Sequence, residues 1–174
     1  PFIPLDDINS GIPCAILEYT LENRSKNKVD YEFSYHLSHF AQATRGGQSS
    51  RNAVIPGGVY FYNEGDPIAE TYGSASLTVV GHRPKVKAMW FRGAWFDGIS
   101  ALWREVSTGT FKTNTGDDAD KMNGRNGGSI LLSGSLKASE KTTYPIIITW
   151  HFPNCHYKAG RIDNREITPD CCDD

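Results

Sequence analysis

Apolar and polar residues alternate along two neighbouring stretches near the start of the chain. The apolar positions are Ala15, Leu17, Tyr19 and Leu21 in the first stretch and Val29, Tyr31, Phe33, Tyr35 and Leu37 in the second. A period of two residues places these side chains on one face of an extended strand. A turn-rich polar link at residues 23–27 joins the two stretches, so the pattern predicts a β-hairpin with one solvated face.

Further short strands are predicted along the rest of the chain, at residues 53–62, 76–80, 86–91, 129–136 and 144–152. The last is the strongest, and one of its faces carries Tyr144, Ile146, Ile148, Trp150 and Phe152. Pro56-Gly57-Gly58 interrupts the first of them, because proline cannot donate to a strand ladder. Many short strands joined by Gly, Asn and Ser links favour a mainly β protein, an antiparallel β-sandwich.

One segment follows a helical period instead. Its apolar residues are Trp95, Phe96, Ile99, Leu102, Trp103 and Val106, with spacings of one and three residues. That stripe predicts a short helix from about Asp97 to Glu105 lying across one sheet. Asp97 is interpreted as the helix N-cap in preference to a catalytic acid, although it is the one acid with aromatic neighbours. Residues 113–128 are predicted to form a polar loop.

Length and charge narrow the function classes. A chain of 174 residues suits one domain with a sizeable core. Its 18 Lys and Arg residues against 20 Asp and Glu residues give a formal net charge of -2, so no nucleic-acid partner is expected. No apolar run approaches the roughly 18 residues of a membrane span, so the chain is not expected to cross a membrane.

The cysteines and acidic residues do not form a recognisable metal motif. Cys14 lies in an apolar alternating run and is interpreted as a buried thiol. Cys155, Cys171 and Cys172 lack the C-x-x-C spacing of a zinc site, so no metal or cofactor is predicted. An EF-hand loop counted from Asp118 would place Met122 at a ligand position, and therefore fails.

Aromatic residues form the densest side-chain cluster in the sequence. It comprises Trp90, Trp95 and Trp103 with Phe91 and Phe96. Packing of the helix on a sheet is the favoured interpretation, and stacking on sugar rings stays open.

No G-x-S-x-G or H-E-x-x-H motif occurs, so no catalytic residue is assigned. Asn23-Arg24-Ser25 has the form of an N-glycosylation sequon.

Three segments carry a resemblance to a known family. They are PFIPLDDINSGIPCAILEYTLEN at the start, VDYEFSYHLSH next to it, and SILLSGSLKASEKTTYPIIITWHFPN, which closes with Trp-His-Phe-Pro. Together they resemble the amino-terminal domain of glycoside hydrolase family 116. This is the family of non-lysosomal glucosylceramidase (bile-acid β-glucosidase) and its bacterial β-glucosidase relatives.

The resemblance implies a domain plan. Residues 1–156 would be the β-sandwich, incomplete at its start and lacking amino-terminal strands, and residues 157–174 a tail or the start of a linker. The catalytic carboxylates of the family belong to a separate (α/α)6 domain, so no catalytic residue is carried over to this chain. A glucosylceramidase-like parent would act on a β-glucoside or glycolipid in a cytoplasmic or membrane-peripheral location.

The resulting hypothesis is a non-catalytic module that supports the (α/α)6 catalytic domain of its parent glycoside hydrolase. A free-standing carbohydrate-binding module is the alternative. Candidates for domain docking or carbohydrate contact are Trp90, Trp95, Trp103, Trp150, His151, Phe152 and Asn154.

Overall fold

A computed structural model describes residues 4–40, 49–70, 72–91, 97–116, 126–154, 159–162 and 165–167. The helices are α1 (Asp7–Ser10) and α2 (Gly98–Ser107). The strands are β1 (Cys14–Glu22), β2 (Val29–Ser38), β3 (Ser49–Ile55), β4 (Gly58–Glu64), β5 (Ser74–Val79), β6 (Lys85–Lys87), β7 (Gly127–Leu136), β8 (Lys141–His151), β9 (Ala159–Ile162) and β10 (Arg165–Ile167). Among the described residues, no helix is long and apolar enough to cross a membrane.

The described strands form two main antiparallel sheets. The larger sheet has the order β1-β8-β5-β4-β3, and the smaller has the order β2-β7-β6. Strands β9 and β10 pair with each other within the segment predicted as a tail or linker. Apolar side chains fill the space between the two main sheets, which confirms the predicted β-sandwich.

The core lies where the two sheets face each other. Phe61 and Leu77 of the larger sheet are fully buried, as is Ile130 of the smaller one. Burying one such side chain contributes about 1.5–3 kcal/mol. Gly128 of β7 is needed here, because a Cβ at this position would lie 2.9 Å from a methyl group of Val59. The glycine therefore lets the two sheets approach each other.

The predicted hairpin between the first two strands is wrong. β1 pairs with β8 and β2 pairs with β7, so the two strands belong to different sheets. The link between them crosses from one sheet to the other. Alternation reports which face of a strand is buried, but both a hairpin and a crossing link satisfy the same alternation. The predicted buried faces are nevertheless the ones that meet the core.

Asn23 explains why the crossing link is stable. Its side-chain amide donates to the carbonyl oxygens of Asn27, Leu136 and Lys137 at 2.8–2.9 Å. Its Oδ1 accepts hydrogen bonds from both the backbone N–H and the hydroxyl of Ser25. Asn23 is buried, with 6% of its surface exposed, so the asparagine of the sequon is engaged in a structural role in the folded chain.

The predicted helix is confirmed, and Asp97 is its N-cap, with Oδ1 accepting from the backbone N–H of Ile99. The Lys87 ammonium meets the Glu105 carboxylate at 2.8 Å and so ties α2 to β6. Lys87 is the register partner of Ser129 on the face of the smaller sheet that points away from the core. α2 therefore lies on that outer face, as a third layer.

Candidate functional site

The apolar stripe of β8 runs from the core to the surface. Tyr144 and Ile146 are buried, at 4% and 0% exposure. Ile148 is partly buried, whereas Trp150 is 36% exposed and Phe152, just after the strand, is 41% exposed. The stripe therefore continues beyond the part of the larger sheet that the smaller sheet covers. Large aromatic side chains are left at the surface where β8 ends.

Phe40 joins Phe152 at this end of the sandwich. The two ring centroids lie 6.1 Å apart, and Phe40 is 45% exposed. Phe152 also packs against Gly73, where a Cβ would lie 2.4 Å from the ring. We call Phe40, Trp150 and Phe152 the aromatic end. Phe40 is not among the candidates from the sequence, although an aromatic residue two positions after the alternating pattern of β2 is an available signal.

Asn154 fixes the backbone next to the aromatic end. Its side-chain amide donates to the carbonyl oxygens of Pro67 and Ala69 in the connection between β4 and β5. The chain after β8 is thus held against a neighbouring connection.

His151 is separated from the aromatic end. It is the register partner of Ser74, and Ser74 pairs in turn with Tyr62. Because successive side chains of a strand point to opposite faces, His151 lies on the outer face of the larger sheet while Trp150 lies on the core side. The candidates His151 and Trp150 therefore do not share one surface.

The tryptophan cluster divides between the interior and the surface. Trp90 is buried at 4% exposure, whereas Trp103 on α2 is 69% exposed. Trp95 lies outside the described residues. Trp90 is therefore a packed interior side chain, whereas the Trp103 indole lies at the surface.

Trp90 takes part in a hydrogen-bonded relay on the outer face of the smaller sheet. Its indole Nε1 donates to Ser129 Oγ at 2.7 Å, and Ser129 Oγ lies 2.8 Å from His36 Nδ1. The indole N–H can only donate, so Ser129 Oγ accepts from Trp90. A serine oxygen has a second lone pair as well as its own proton, so it pairs with either tautomer of His36 at Nδ1. His36 Nε2 lies 3.0 Å from Ser34 Oγ. The relay is non-local, joining positions up to 93 residues apart, so sequence spacing gave no signal for it.

The Ser129–His36 pair has the distance of a nucleophile and its base, but Ser129 is fully buried. A substrate has no access to its hydroxyl, which is already engaged by Trp90 and His36. His36 is exposed as a residue, but partial desolvation of its ring disfavours the charged imidazolium and lowers its pKa. This arrangement fits a structural tie between β2, β7 and the segment after β6.

One family model matches residues 1–168, and its description is beta-glucosidase 2, glycosyl-hydrolase family 116 N-term. The chain belongs to this family. The resemblance inferred from the three sequence segments is thereby confirmed. No curated protein matches the chain significantly. An amino-terminal domain of this family implies a separate catalytic domain.

The carboxyl groups of this family 116 domain include three with lowered pKa values. Hydrogen bonds from Asn9 lower the pKa of Asp6, and hydrogen bonds from Arg24 and Lys141 lower that of Glu22. For Glu105, desolvation acts to raise the pKa, but hydrogen bonds from Lys87 and from the backbone N–H of Lys112 outweigh it and the net shift is downward. All three groups are thereby stabilised as anions, whereas the general acid of a glycosidase needs a raised pKa.

An open hollow of about 570 Å³ lies at the end of the family 116 domain opposite the aromatic end. Its lining residues are Pro56, Gly57, Val79, Gly81, His82 and Arg83. Glycoside hydrolysis uses a pair of carboxyl groups, and these lining residues carry none. His82 instead sits edge-on to the ring of Tyr144, with centroids 4.8 Å apart.

Metal-ligand chemistry has little support in the described residues. No three His, Cys, Asp or Glu side chains there group closely enough to hold a metal ion. Cys14 is half-buried and is not part of a disulfide. Cys155, Cys171 and Cys172 lie outside the described residues, so the absence of a metal or cofactor stays a prediction.

Proposed function

We propose that this chain is a non-catalytic β-sandwich domain of a family 116 glycoside hydrolase and supports a separate (α/α)6 catalytic domain by docking through the aromatic end. The parent protein would be a β-glucosidase or glucosylceramidase acting on a β-glucoside or glycolipid. Residues 1–156 would form the supporting domain, and residues 157–174 would lead towards the next. The observation that carries the proposal is the exposure of Phe40, Trp150 and Phe152 at one end of the sandwich.

Physical chemistry supports the choice of this surface. Aromatic residues are enriched at the centres of protein interfaces, where they bury a large apolar area at a low entropic cost. Phe152 is already seated against Gly73, and Asn154 holds the backbone beside it. The end therefore offers exposed aromatic side chains, and burying them against a second domain would remove their apolar surface from water.

Carboxylate chemistry supports the non-catalytic part of the proposal. Asp6, Glu22 and Glu105 have lowered pKa values, and the open hollow is lined by His82 and Arg83 without a carboxylate. Neither feature supplies the raised-pKa acid and facing carboxylate of a glycosidase.

Docking is tested by titrating the chain into a purified family 116 (α/α)6 domain in a calorimeter. We expect binding that weakens at least about tenfold when Trp150 and Phe152 are both changed to Ala, because buried aromatic anchors carry most of an interface's affinity. The control is Val29→Ala with Val80→Ala, two apolar residues exposed at the opposite end of the sandwich. Absence of binding, or equal losses in both double variants, would contradict docking at the aromatic end.

The non-catalytic role has a separate test. The pure chain should not hydrolyse an aryl β-glucoside above the rate of a buffer blank. Steady turnover that disappears on substitution of a single Asp or Glu of the chain would refute it.

Trp103 favours a second candidate function, carbohydrate binding. Its indole is 69% exposed on α2, and exposed aromatic rings stack on sugar faces. Titration with β-glucans should then change the tryptophan fluorescence of the chain but not that of Trp103→Ala. A flat response across a broad glycan panel would end this candidate.

A further inference from the structure

Two long strand edges lie next to each other on one side of the sandwich. Among the described strands, β1 pairs only with β8, and β2 pairs only with β7. The Tyr19 ring of β1 lies 5.4 Å from Phe33 and 5.8 Å from Tyr35 of β2, measured between ring centroids. The unpaired edges of the two sheets are therefore neighbours, and we call this flank, formed by β1 and β2, the open side.

The described residues leave part of the core uncovered along the open side. Most of the partly buried apolar side chains that pack on the core come from β1 and β2, namely Leu17, Leu21, Tyr31, Phe33, Tyr35 and Leu37. Tyr19 of β1 retains 38% of its surface in water, and Val29 of β2 retains 42%. On the other face of β1, Ile16 is 63% exposed. A strand added beside β1 would cover apolar surface on both faces of the sheet.

The backbone of β1 alternates in the direction of its hydrogen bonds. Trp150 donates its backbone N–H to Pro13 at one end, and Asn23 donates to Glu140 at the other. In an antiparallel pair every second residue bonds to the partner, so the odd-numbered residues of β1 bond to β8. The backbone N–H and C=O groups of Ile16, Glu18 and Thr20 consequently point to the open side.

The edge of β1 has few of the features that normally protect a sheet edge. Its nine residues contain no proline, and their register with β8 is unbroken from Cys14 to Glu22, so no bulge turns the strand away. Glu18 stands at the middle of this edge and is exposed. Among the described residues, no cation forms an ion pair with Glu18.

We propose that the open edge of β1 binds an extended peptide strand from outside this chain of 174 residues, with apolar residues on the core side and a Lys or Arg facing Glu18. The backbone groups of Ile16, Glu18 and Thr20 supply the ladder, and the new strand extends the five-stranded sheet by one. The Glu18 carboxylate selects for a basic residue on the outer face, because like charges on neighbouring strands are destabilising. This surface is distinct from the aromatic end.

Amide exchange of the ¹⁵N-labelled chain, followed by NMR, tests the proposal residue by residue. The probe is an acetylated and amidated decapeptide, KVTVKVTVKV. At saturating peptide we expect exchange at Ile16, Glu18 and Thr20 to slow at least about tenfold, because new ladder bonds protect their amides. Leu17 and Tyr19, already bonded to β8, should change little.

Two control peptides distinguish strand pairing from nonspecific binding of the probe. The first replaces every second valine of the probe by proline, which cannot donate to a ladder. The second replaces lysine by glutamate and should bind at least about tenfold more weakly, because it places like charges opposite each other. Equal protection by either control would overturn the proposal.

A variant of the chain provides the reciprocal test. Ile16→Pro removes one outward N–H and leaves the odd-numbered ladder to β8 intact, so the domain should stay folded and lose the peptide-induced protection. Full retention of that protection would overturn the proposal. Protection of Ile16, Glu18 and Thr20 that rises with protein concentration in the absence of peptide would also overturn the proposal. The strand at the edge would then be a second copy of the chain. Unchanged exchange at saturating probe would likewise overturn the proposal.

Discussion

The His36 imidazole is hydrogen-bonded through both of its ring nitrogens. Nδ1 lies 2.8 Å from Ser129 Oγ, which also accepts the indole N–H of Trp90. Because Ser129 Oγ can donate to Nδ1 or accept from it, this contact is compatible with both protonation states of the ring. The residue is exposed overall, but its ring is partly buried beside Ser129, and this partial desolvation lowers the pKa of His36 in the folded chain.

A pH dependence of stability follows from His36. The unfolded imidazole has a pKa of about 6.5, above the folded value, so the unfolded state binds the proton more tightly. The contribution to the free energy of unfolding is fully present above pH ~6.5 and is lost as the pH falls through the folded pKa. Urea unfolding between pH 5 and 8 should show this decline, and His36→Gln should flatten it. His151→Gln, a change at an exposed histidine, is the control, and an unchanged slope in His36→Gln would contradict the assignment.

At the scale of elements, α2 is held on the smaller sheet by a largely buried ion pair. The side chains of Lys87 and Glu105 are 7% and 21% exposed, and Lys87 also lies 5.7 Å from the Phe111 ring centroid. Removing one charge leaves the other poorly solvated. Glu105→Gln should therefore lower the free energy of unfolding by about 1–3 kcal/mol. This is less than the roughly 3–5 kcal/mol of a broken fully buried pair, because some solvent reaches Glu105.

A matched variant isolates the effect of burial on the Glu105 substitution. Arg51 and Glu64 form another ion pair, at 2.9 Å, but the Glu64 side chain is 50% exposed. Glu64→Gln should cost less than about 1 kcal/mol, as surface pairs do. Chemical denaturation of both variants checks the difference, and equal losses would mean that the Lys87–Glu105 pair does not anchor α2 as described.

The same elements show which structural features the sequence patterns predict. Alternation identified the core faces of β1 and β2, and a stripe of period 3.6 located α2, because these signals are local. Alternation does not identify the partner of each strand, because the partners are distant in the sequence. Tyr19 and Phe33 lie on strands of different sheets, and the same alternation would be seen if these two strands formed a hairpin. The helical stripe placed Trp103 beside Leu102 without distinguishing the buried side chain from the exposed one, because both fall on the same stripe. Trp150 and Phe152 were found among the candidates, but only the fold brings Phe40 beside them.

For the molecule as a whole, the two proposed surfaces differ in the chemistry they offer. The aromatic end presents the side chains Phe40, Trp150 and Phe152, whereas the open edge of β1 presents mainly backbone groups around Glu18. An interface built on side chains is sensitive to alanine substitution, and one built on a ladder is sensitive to proline. The two kinds of variant therefore distinguish failure of one proposal from failure of the other.

A pair of tyrosines forms one of the contacts between the two sheets. The hydroxyl groups of Tyr31 in β2 and Tyr144 in β8 hydrogen-bond across the core, and the Tyr144 ring stacks on Phe33 with centroids 5.2 Å apart. Desolvation, followed by the hydrogen bond to Tyr31, raises the pKa of Tyr144 from its usual value of 10.0 to about 12. The folded state thus favours the neutral phenol.

Alkaline unfolding tests this inter-sheet contact. An unfolded tyrosine ionises near pH 10 and Tyr144 only near 12, so the contribution of this group to stability is complete below pH ~10 and declines as the pH rises towards 12. Tyr144→Phe should lower the free energy of unfolding at pH 7 by about 1 kcal/mol, because the Tyr31 hydroxyl loses its partner, and should reduce the decline above pH 10. Tyr60→Phe, on the exposed face of the larger sheet, is the control. Circular dichroism during urea titrations at pH 7 and 10.5 measures both effects, and an undiminished alkaline decline in Tyr144→Phe would show that another group is responsible.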